Sequence, residues 1–261
     1  MYLWCSYCQK FIGEVAPYDQ HDISHGICKK CVKNKVVFDL DRIHKSQEIA
    51  NLFLQLKEAV KDRNFTFIRS QYSRLKSLSV SNNDIFSGIY QPLLYEIGRL
   101  WETRILTMAE EHEVTSTIEE VVSLGFNEIP NIEKLRNSST PIVLITSTSQ
   151  NQHILGLRLL EYWLCENGIK NLVIVPGLPS EEILSLAKKF KPVVVGLSAT
   201  MPSQELNQAL TKLVEQAKGS RIVFGGRFAR DCESADLPKG VTICKNIEDL
   251  HAVLVQCKVM T

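Results

Sequence analysis

The stretch Ile142-Val-Leu-Ile-Thr146 decides the fold, because this β-branched run is followed by a helical segment from Leu155 to Glu166 that ends at Gly168. A short apolar run of this kind is typical of a strand buried on both faces. The alternation then repeats, with further strands predicted at 172–175, 193–197, 222–224 and 241–243 and helices at 180–190, 203–217 and 247–257. This spacing predicts an α/β domain over residues 141–261 that contains a doubly wound, five-stranded parallel sheet.

Such sheets bind ligands at the carboxyl ends of their strands, which places a candidate site in the loops 147–153, 198–202 and 225–227. The first loop holds His153, the only side chain there that can ligate a metal. The other loops supply two hydroxyls and a glycine pair, which lets a ligand approach the backbone closely; they are Ser198, Thr200, Gly225 and Gly226. Taken alone, His153 is more simply interpreted as a histidine that caps the following helix.

Residues 46–126 follow a different pattern, in which apolar side chains recur at helical spacing along four successive segments. Ser81 with Asp84, and Thr107 with Glu110, have the spacing of helix N-terminal caps. We predict a four-helix bundle whose third helix is kinked at Pro92. The stretches 35–45 and 127–140 have the composition of linkers.

Residues 1–34 carry two Cys-x-x-Cys pairs separated by 19 residues; the four cysteines are Cys5, Cys8, Cys28 and Cys31. Four thiolates at this spacing favour a closed, structural Zn2+ site, with reduced free thiols or disulfides as the alternatives. His21 and His25 are spare candidate ligands. A zinc-ribbon-like module with few basic residues favours a role in protein contacts or dimerisation over DNA binding.

The overall composition excludes several function classes. Thirty basic residues balance 29 acidic ones, which gives a formal net charge of +1 and no support for nucleic acid or a membrane surface as the main partner. The N-terminus lacks the pattern of a signal peptide, and no apolar run approaches the roughly 18–20 residues of a membrane span. We therefore expect a cytoplasmic protein, with four core cysteines that are not ligands; these are Cys165, Cys232, Cys244 and Cys257.

The three loops together resemble the cobalamin-binding domain of corrinoid methyltransferases, mutases and B12 photoreceptors. The matching motifs are Asn151-x-His153-x-x-Gly156, Ser198-x-Thr200 and Gly225-Gly226, at the family's spacings. The resemblance implies that His153 replaces the cofactor's benzimidazole below cobalt. It also implies that the displaced tail passes the hydroxyls and the glycine pair.

One position departs from this family's pattern. The family has an acidic residue where this chain has Asn151, and that residue normally accepts the imidazole N–H and raises its basicity. An amide oxygen can accept the same bond but brings no charge. We therefore predict a weaker, more readily displaced lower ligand.

The helical segment ends in a second pattern, in which Trp101 precedes Glu111-His112 by a Trp-x9-Glu-His spacing. Alone, this could be a tryptophan that closes a bundle core and a solvated Glu-His pair. Directly before a cobalamin domain, it resembles the B12-dependent photoreceptor family, where these residues cap the upper face of the corrin around the adenosyl group. In some members a histidine directly after the tryptophan binds cobalt after light; Glu102 at that position makes such a state doubtful here.

The resemblance implies adenosylcobalamin as cofactor, a light-sensing or B12-sensing role without turnover, and a homo-oligomer of two or more chains that signals to a partner protein. Some relatives also bind a bilin, and no residue here decides for or against a second chromophore. Two alternatives remain open. The chain could carry methyl groups as the corrinoid component of a methyltransferase system, or it could sense B12 without photochemistry.

Overall fold

The structure is a computed structural model that describes residues 1–17, 20–37, 39–151 and 153–260. Contacts divide the chain into two compact units, Met1–Gly125 and Phe126–Thr261. The first unit holds the cysteine-rich segment together with the helices, and the second holds the parallel sheet. Among the described residues, no helix combines the length and the apolar character that crossing a bilayer requires.

The N-terminal segment forms a three-stranded sheet of order β2-β1-β3, in which β1 pairs antiparallel with β2 and parallel with β3. The strands are β1 (Tyr2–Cys5), β2 (Phe11–Glu14) and β3 (Ile23–Gly26), and a short helix, α1 (Lys29–Lys33), follows. This segment packs directly against the helices. Trp4 is buried, Phe11 N–H donates to Asp84 Oδ1 at 3.0 Å, and His25 Nε2–H donates to the Ser46 carbonyl at 3.1 Å.

The helices of the first unit are α2 (Leu40–Lys61), α3 (Phe65–Ser77), α4 (Asn82–Ile85), α5 (Gln91–Glu102) and α6 (Met108–Phe126). Both sequence-predicted caps are confirmed. Asp84 N–H donates to Ser81 Oγ at 3.1 Å, and Thr107 and Glu110 exchange bonds of 2.8 and 3.3 Å. The first helix starts earlier than predicted, because Asp39 accepts the Asp41 N–H and caps it, so residues 40–45 are helical and not a linker.

The structure shows a change of helix type directly before Pro92, where the sequence predicts a kink. A π-helical turn, Phe86–Tyr90, joins α4 to α5, and Pro92 lies in the first turn of α5. Proline lacks an N–H, so the carbonyl four residues before it has no helical donor. A π turn directly before proline widens the helix there, and the chain continues with helical backbone angles at Ile85 and Gln91.

The second unit confirms the predicted doubly wound sheet. Its five strands are all parallel, in the order β5-β4-β6-β7-β8, and are β4 (Val143–Ser147), β5 (Asn171–Val173), β6 (Val194–Ser198), β7 (Arg221–Gly225) and β8 (Val241–Ile243). The helices are α8 (Leu155–Glu166), α9 (Ser180–Phe190), α10 (Gln204–Gln216) and α11 (Ile247–Gln256), after a short α7 (Ile132–Leu135).

Two apolar cores cover the two faces of this sheet. Ile183 of α9 and Leu206 of α10 pack in one core, and Leu164 of α8 and Leu254 of α11 pack in the other. Three of the four remaining cysteines are buried, and Cys257 is half-buried, as expected for small core residues. The stretch before β4 contains α7, and Arg136 pairs with the fully buried Glu161 at 2.7 Å. It is therefore attached to the sheet domain and is not a free linker.

Candidate functional site

The strand order creates a crevice between β4 and β6. The chain leaves β4 toward β5 on one side and leaves β6 toward β7 on the other, so the loops that follow β4 and β6 diverge. Ligands of open α/β sheets bind at such a switch point. Ser147 and Ser198 lie opposite each other in register at these two strand ends. Ser147 Oγ is buried and has no hydrogen-bond partner among the described residues, which leaves a polar atom for a ligand to satisfy.

Asn151 ties the two diverging loops together. Its Nδ2 donates to the Ser198 carbonyl at 3.3 Å, and its Oδ1 accepts from Thr200 Oγ1 at 3.1 Å. The same oxygen accepts the backbone N–H of His153 at 3.3 Å. An amide oxygen has two lone pairs, and both are therefore in use here. The structure thus gives this oxygen two donors other than the imidazole N–H.

His153 lies at the end of this loop, directly before α8, and its side chain is exposed. Gly156 lies three residues later in the first turn of α8, where an added Cβ would meet nothing within 4 Å. A glycine inside a helix costs about 1 kcal/mol relative to alanine, and the protein's own packing does not require one at this position. An exposed imidazole beside open space fits a flat ligand that approaches from outside.

The glycine pair after β7 allows the third loop to approach β6. Gly226 has a φ of +92°, which favours glycine, and a Cβ there would lie 2.5 Å from the Ala199 carbonyl oxygen and 2.7 Å from Ser198 Oγ. Gly225 pairs in register with Ser198, and its carbonyl accepts the Ala199 N–H at 3.1 Å. The structure therefore brings together the sequence-predicted residues Asn151, Ser198, Thr200, Gly225 and Gly226, with His153 and Gly156 on the adjoining turn.

Trp101, Glu111 and His112 lie in the first unit, around the connection between α5 and α6. The Trp101 side chain is 44% exposed, whereas Leu100 beside it is fully buried. Trp101 therefore does not close the bundle core. Glu111 Oε2 and His112 Nδ1 are 2.6 Å apart, with Glu111 largely buried and His112 exposed. This end of the helices therefore presents an exposed indole at Trp101 and a paired carboxylate and imidazole at Glu111 and His112.

The four N-terminal thiols lie close enough to share one metal ion. All four Sγ atoms are within 4.8 Å of one another, and Cys8 and Cys28 are 3.7 Å apart. A tetrahedron with Zn–S bonds of about 2.3 Å has S–S edges of about 3.8 Å, so the spacing fits Zn2+. His21 and His25 bond elsewhere: His21 Nδ1 lies 2.9 Å from the Tyr2 hydroxyl, and His25 donates to the Ser46 carbonyl. The donor set is therefore four sulfurs.

The thiols differ in acidity. Burial raises the pKa of Cys5, but backbone N–H donors, including Cys28 N–H at 3.4 Å, outweigh it and lower that pKa to about 6. Burial together with the neighbouring thiols raises the pKa of Cys8 to about 12. Cys5 is therefore more readily available as a thiolate than Cys8, and a bound divalent cation would favour the deprotonated form of the sulfurs that hold it.

The family described as "B12 binding domain" matches residues 52–124, which cover most of the helical unit. The HTH-type transcriptional repressor CarH of Myxococcus xanthus is 25% identical over 167 residues, which cover 63% of this chain. The matched region spans 54% of that repressor, so the chain corresponds to about half of its curated relative's length.

A solved structure supports the fold of the chain. The monomethylamine corrinoid protein of Methanosarcina barkeri aligns over 80% of this chain and 99% of its own, with a TM-score of 0.61 and 18% identity. This likeness establishes a corrinoid-protein fold, with helices preceding a parallel sheet. The family match adds support for cobalamin binding. Residues 52–124 of this chain therefore match the B12 binding domain family, and the chain has the fold of corrinoid proteins.

Proposed function

We propose that the chain is a cobalamin-binding sensor in which His153 ligates cobalt from below. The observation that carries this proposal is the exposed His153 beside open space at Gly156, on a loop that Asn151 fixes across the switch-point crevice. The B12 binding domain match at 52–124 and the similarity to CarH, a transcriptional repressor, support a regulatory role without turnover.

The residues at the crevice fit the demands of such a cofactor. His153 offers an imidazole nitrogen to the metal, and the Ser147 hydroxyl offers a buried polar atom without a partner among the described residues. Ser198, Thr200 and the Gly225-Gly226 pair line the adjoining strand ends, where they would hold the displaced tail. When bound, adenosylcobalamin supplies a corrin ring that absorbs visible light and a weak cobalt–carbon bond that this light can break.

The signal in this proposal is the state of the upper ligand. Trp101, Glu111 and His112 supply an exposed indole and a fixed Glu-His pair, which would contact the adenosyl group and lose that contact after photolysis. A change in packing at these residues then alters how the chains associate into a homo-oligomer of two or more copies, or how that oligomer binds a signalling partner. Glu102 stands where some relatives have a second histidine ligand, so this chain offers no histidine at that position that could bind cobalt.

A second candidate function is methyl carriage for a methyltransferase. Its supporting observation is the fold likeness to a monomethylamine corrinoid protein, which is aligned over nearly its whole length. A carrier would bind methylcobalamin and pass the methyl group to or from a partner enzyme. A sensor of B12 level without photochemistry is the third possibility, and the experiment below separates the photoreceptor from the other two.

The decisive experiment is reconstitution of the full chain with adenosylcobalamin in the dark, followed by green light. Absorption spectra and size-exclusion elution are recorded in both states. The matched control for His153→Ala is His44→Ala, which removes an exposed histidine from α2 in the other unit. We expect the His153 variant to lose the lower-ligand spectrum and the His44 variant to keep it.

Histidine labelled with 15N gives an independent readout of the lower ligand. In the reduced Co(II) form, the electron paramagnetic resonance splitting changes from three lines to two when a 15N imidazole is bound. A light-dependent change in elution supports the photoreceptor, whereas an unchanged protein supports the carrier or the plain sensor. Normal binding by His153→Ala would overturn the assignment of the ligand. The same titration with a bilin tests for a second chromophore.

A further inference from the structure

A second hydrogen-bonded contact spans the crevice, beside the contacts that Asn151 makes. Ser149 Oγ lies 2.9 Å from both carboxylate oxygens of Glu205, so the single hydroxyl proton is shared between them. Ser149 lies in the loop after β4, two residues before Asn151 and four before His153. Glu205 lies in the first turn of α10, after β6. The contact therefore joins the His153 loop to the helix on the far side of the crevice.

Glu205 lies in an ordered part of the backbone. Ser203 caps α10 by accepting the Leu206 N–H at 3.1 Å, which orders the first turn of the helix. A carboxylate in the first turn of a helix interacts favourably with the helix dipole. A hydrogen bond to an ionised acceptor is stronger than a neutral one. Glu205 therefore has a fixed position in the ordered first turn of α10, and its hydrogen bond restrains the position of Ser149.

We propose that Glu205 is a positioning residue for the cobalt ligand, and that it acts through Ser149 to hold the described part of the loop after β4 in the conformation that presents His153. This inference rests on the proposed function. Asn151 restrains the C-terminal part of the loop and Glu205 restrains its middle, so the loop is fixed at two points before the ligand binds. A loop fixed in its binding conformation loses less entropy on ligation, which raises the fraction of molecules with histidine bound.

The test follows the absorption of adenosylcobalamin bound to the protein as the pH is lowered. The spectrum shows which fraction of the cofactor has histidine bound to cobalt. We compare the wild type with Ser149→Ala, Glu205→Ala, Glu205→Gln and the Ser149→Ala/Glu205→Ala double variant. We expect each alanine variant to reduce the ratio of histidine-bound to histidine-free cofactor by about three- to tenfold. Glu205→Gln keeps an acceptor without the charge, so we expect a smaller loss.

The double variant distinguishes this tie from general surface effects. If Ser149 and Glu205 act through one hydrogen bond, the double variant loses no more than either single one. Glu182→Gln is the matched control, because it neutralises a carboxylate in the first turn of α9 in the same unit. Unfolding midpoints of the cofactor-free variants check that each is folded.

The outcomes separate this proposal from the proposed function. Suppose that the wild type shows histidine ligation. If the Ser149 and Glu205 variants then titrate like the wild type, or if their losses add in the double variant, the positioning role is wrong. The proposed cobalamin site is unaffected by either result. If 15N-histidine labelling shows no imidazole ligand in the wild type, the proposed function itself fails.

Discussion

Trp4 lies directly on Gly88, so closely that a Cβ at Gly88 would be 2.4 Å from Trp4 Cζ2. Gly88 is in the π-helical turn between α4 and α5, and the same Cβ would be 2.9 Å from two ring atoms of Phe11. The absence of a side chain at this position is what allows the N-terminal sheet to rest on the helices. The cysteine module and the helical bundle therefore share one core at this point.

We expect Gly88→Ala to destabilise the protein, because the methyl group forces Trp4 and Phe11 out of their packed positions. Overpacking of a buried site typically costs about 1–3 kcal/mol of the free energy of unfolding. Chemical denaturation of the cofactor-free protein measures this. Gly98→Ala in α5 is the control, since its Cβ would meet nothing within 4 Å and should raise stability by about 0.5–1 kcal/mol. Equal effects of the two substitutions would contradict the Trp4 contact.

Zinc content and bundle stability should fall together. We expect the purified chain to hold one Zn2+, and Cys8→Ser to lose it, while Cys257→Ser outside the cluster keeps it. The module packs on α2, where Lys57 Nζ bonds Asp22 Oδ1 at 2.9 Å. Loss of the metal should therefore lower the thermal unfolding midpoint of the helices by several degrees. Metal analysis with circular dichroism checks this, and an unchanged midpoint on zinc loss would refute the coupling.

His21 makes the stability of the packing between the N-terminal segment and the helices depend on pH. Its ring stacks between Tyr2 and Tyr95, with centroid distances of 6.0 Å to each, and burial lowers its pKa. Of the charged groups around it, Glu96 and Glu14 raise this pKa by smaller amounts, and Lys57 and the Met1 amino group lower it further. The folded chain therefore binds a proton at His21 less readily than the unfolded chain.

The sign of the effect follows from this difference in proton affinity. Stability is highest above the ordinary histidine pKa of about 6.5 and declines as the pH falls below it toward the lowered folded value. We expect His21→Gln to flatten this decline between about pH 7.5 and 5.5, and His44→Gln to leave it unchanged. Denaturation across this pH range is the measurement. Acid release of zinc affects both variants alike, so an equal slope in the two would exclude His21 as the cause.

The parts of the fold that follow local rules could be predicted from the sequence. The β-branched runs mark all five strands of the sheet because parallel strands are buried on both faces. Caps at Ser81 and Thr107 depend on residues three positions apart and were also predictable. The cysteine cluster follows from its spacing, since two Cys-x-x-Cys pairs can form one tetrahedral site.

Contacts between distant residues could not be predicted in the same way. Nothing near Gly88 in the sequence indicates that Trp4, 84 residues earlier, packs against it. The pairing of Ser149 with Glu205 likewise depends on the crossover that places α10 beside the β4 loop. A serine in a loop and a glutamate in a first helical turn are common residues at such positions, so neither carries a local signal of function.

We expect Asn151→Asp to strengthen the bond between His153 and cobalt, because of the hydrogen bonds that residue 151 makes in the loop. Both lone pairs of Asn151 Oδ1 are taken, by Thr200 Oγ1 and by the His153 backbone N–H. An aspartate adds a second, charged oxygen that can accept the imidazole N–H and increase its basicity. We expect the acid titration of bound adenosylcobalamin to release the histidine at a lower pH than in the wild type.

The same substitution should destabilise the cofactor-free chain, because it removes the Nδ2 donor to the Ser198 carbonyl and places an oxygen there instead. This loss is about 1–3 kcal/mol for a buried acceptor left without its partner. Asn207→Asp adds a charge to the exposed surface of α10 and serves as the control for both measurements. A titration midpoint in Asn151→Asp that equals the wild type would mean that residue 151 fixes the loop through its hydrogen bonds without changing the basicity of the imidazole.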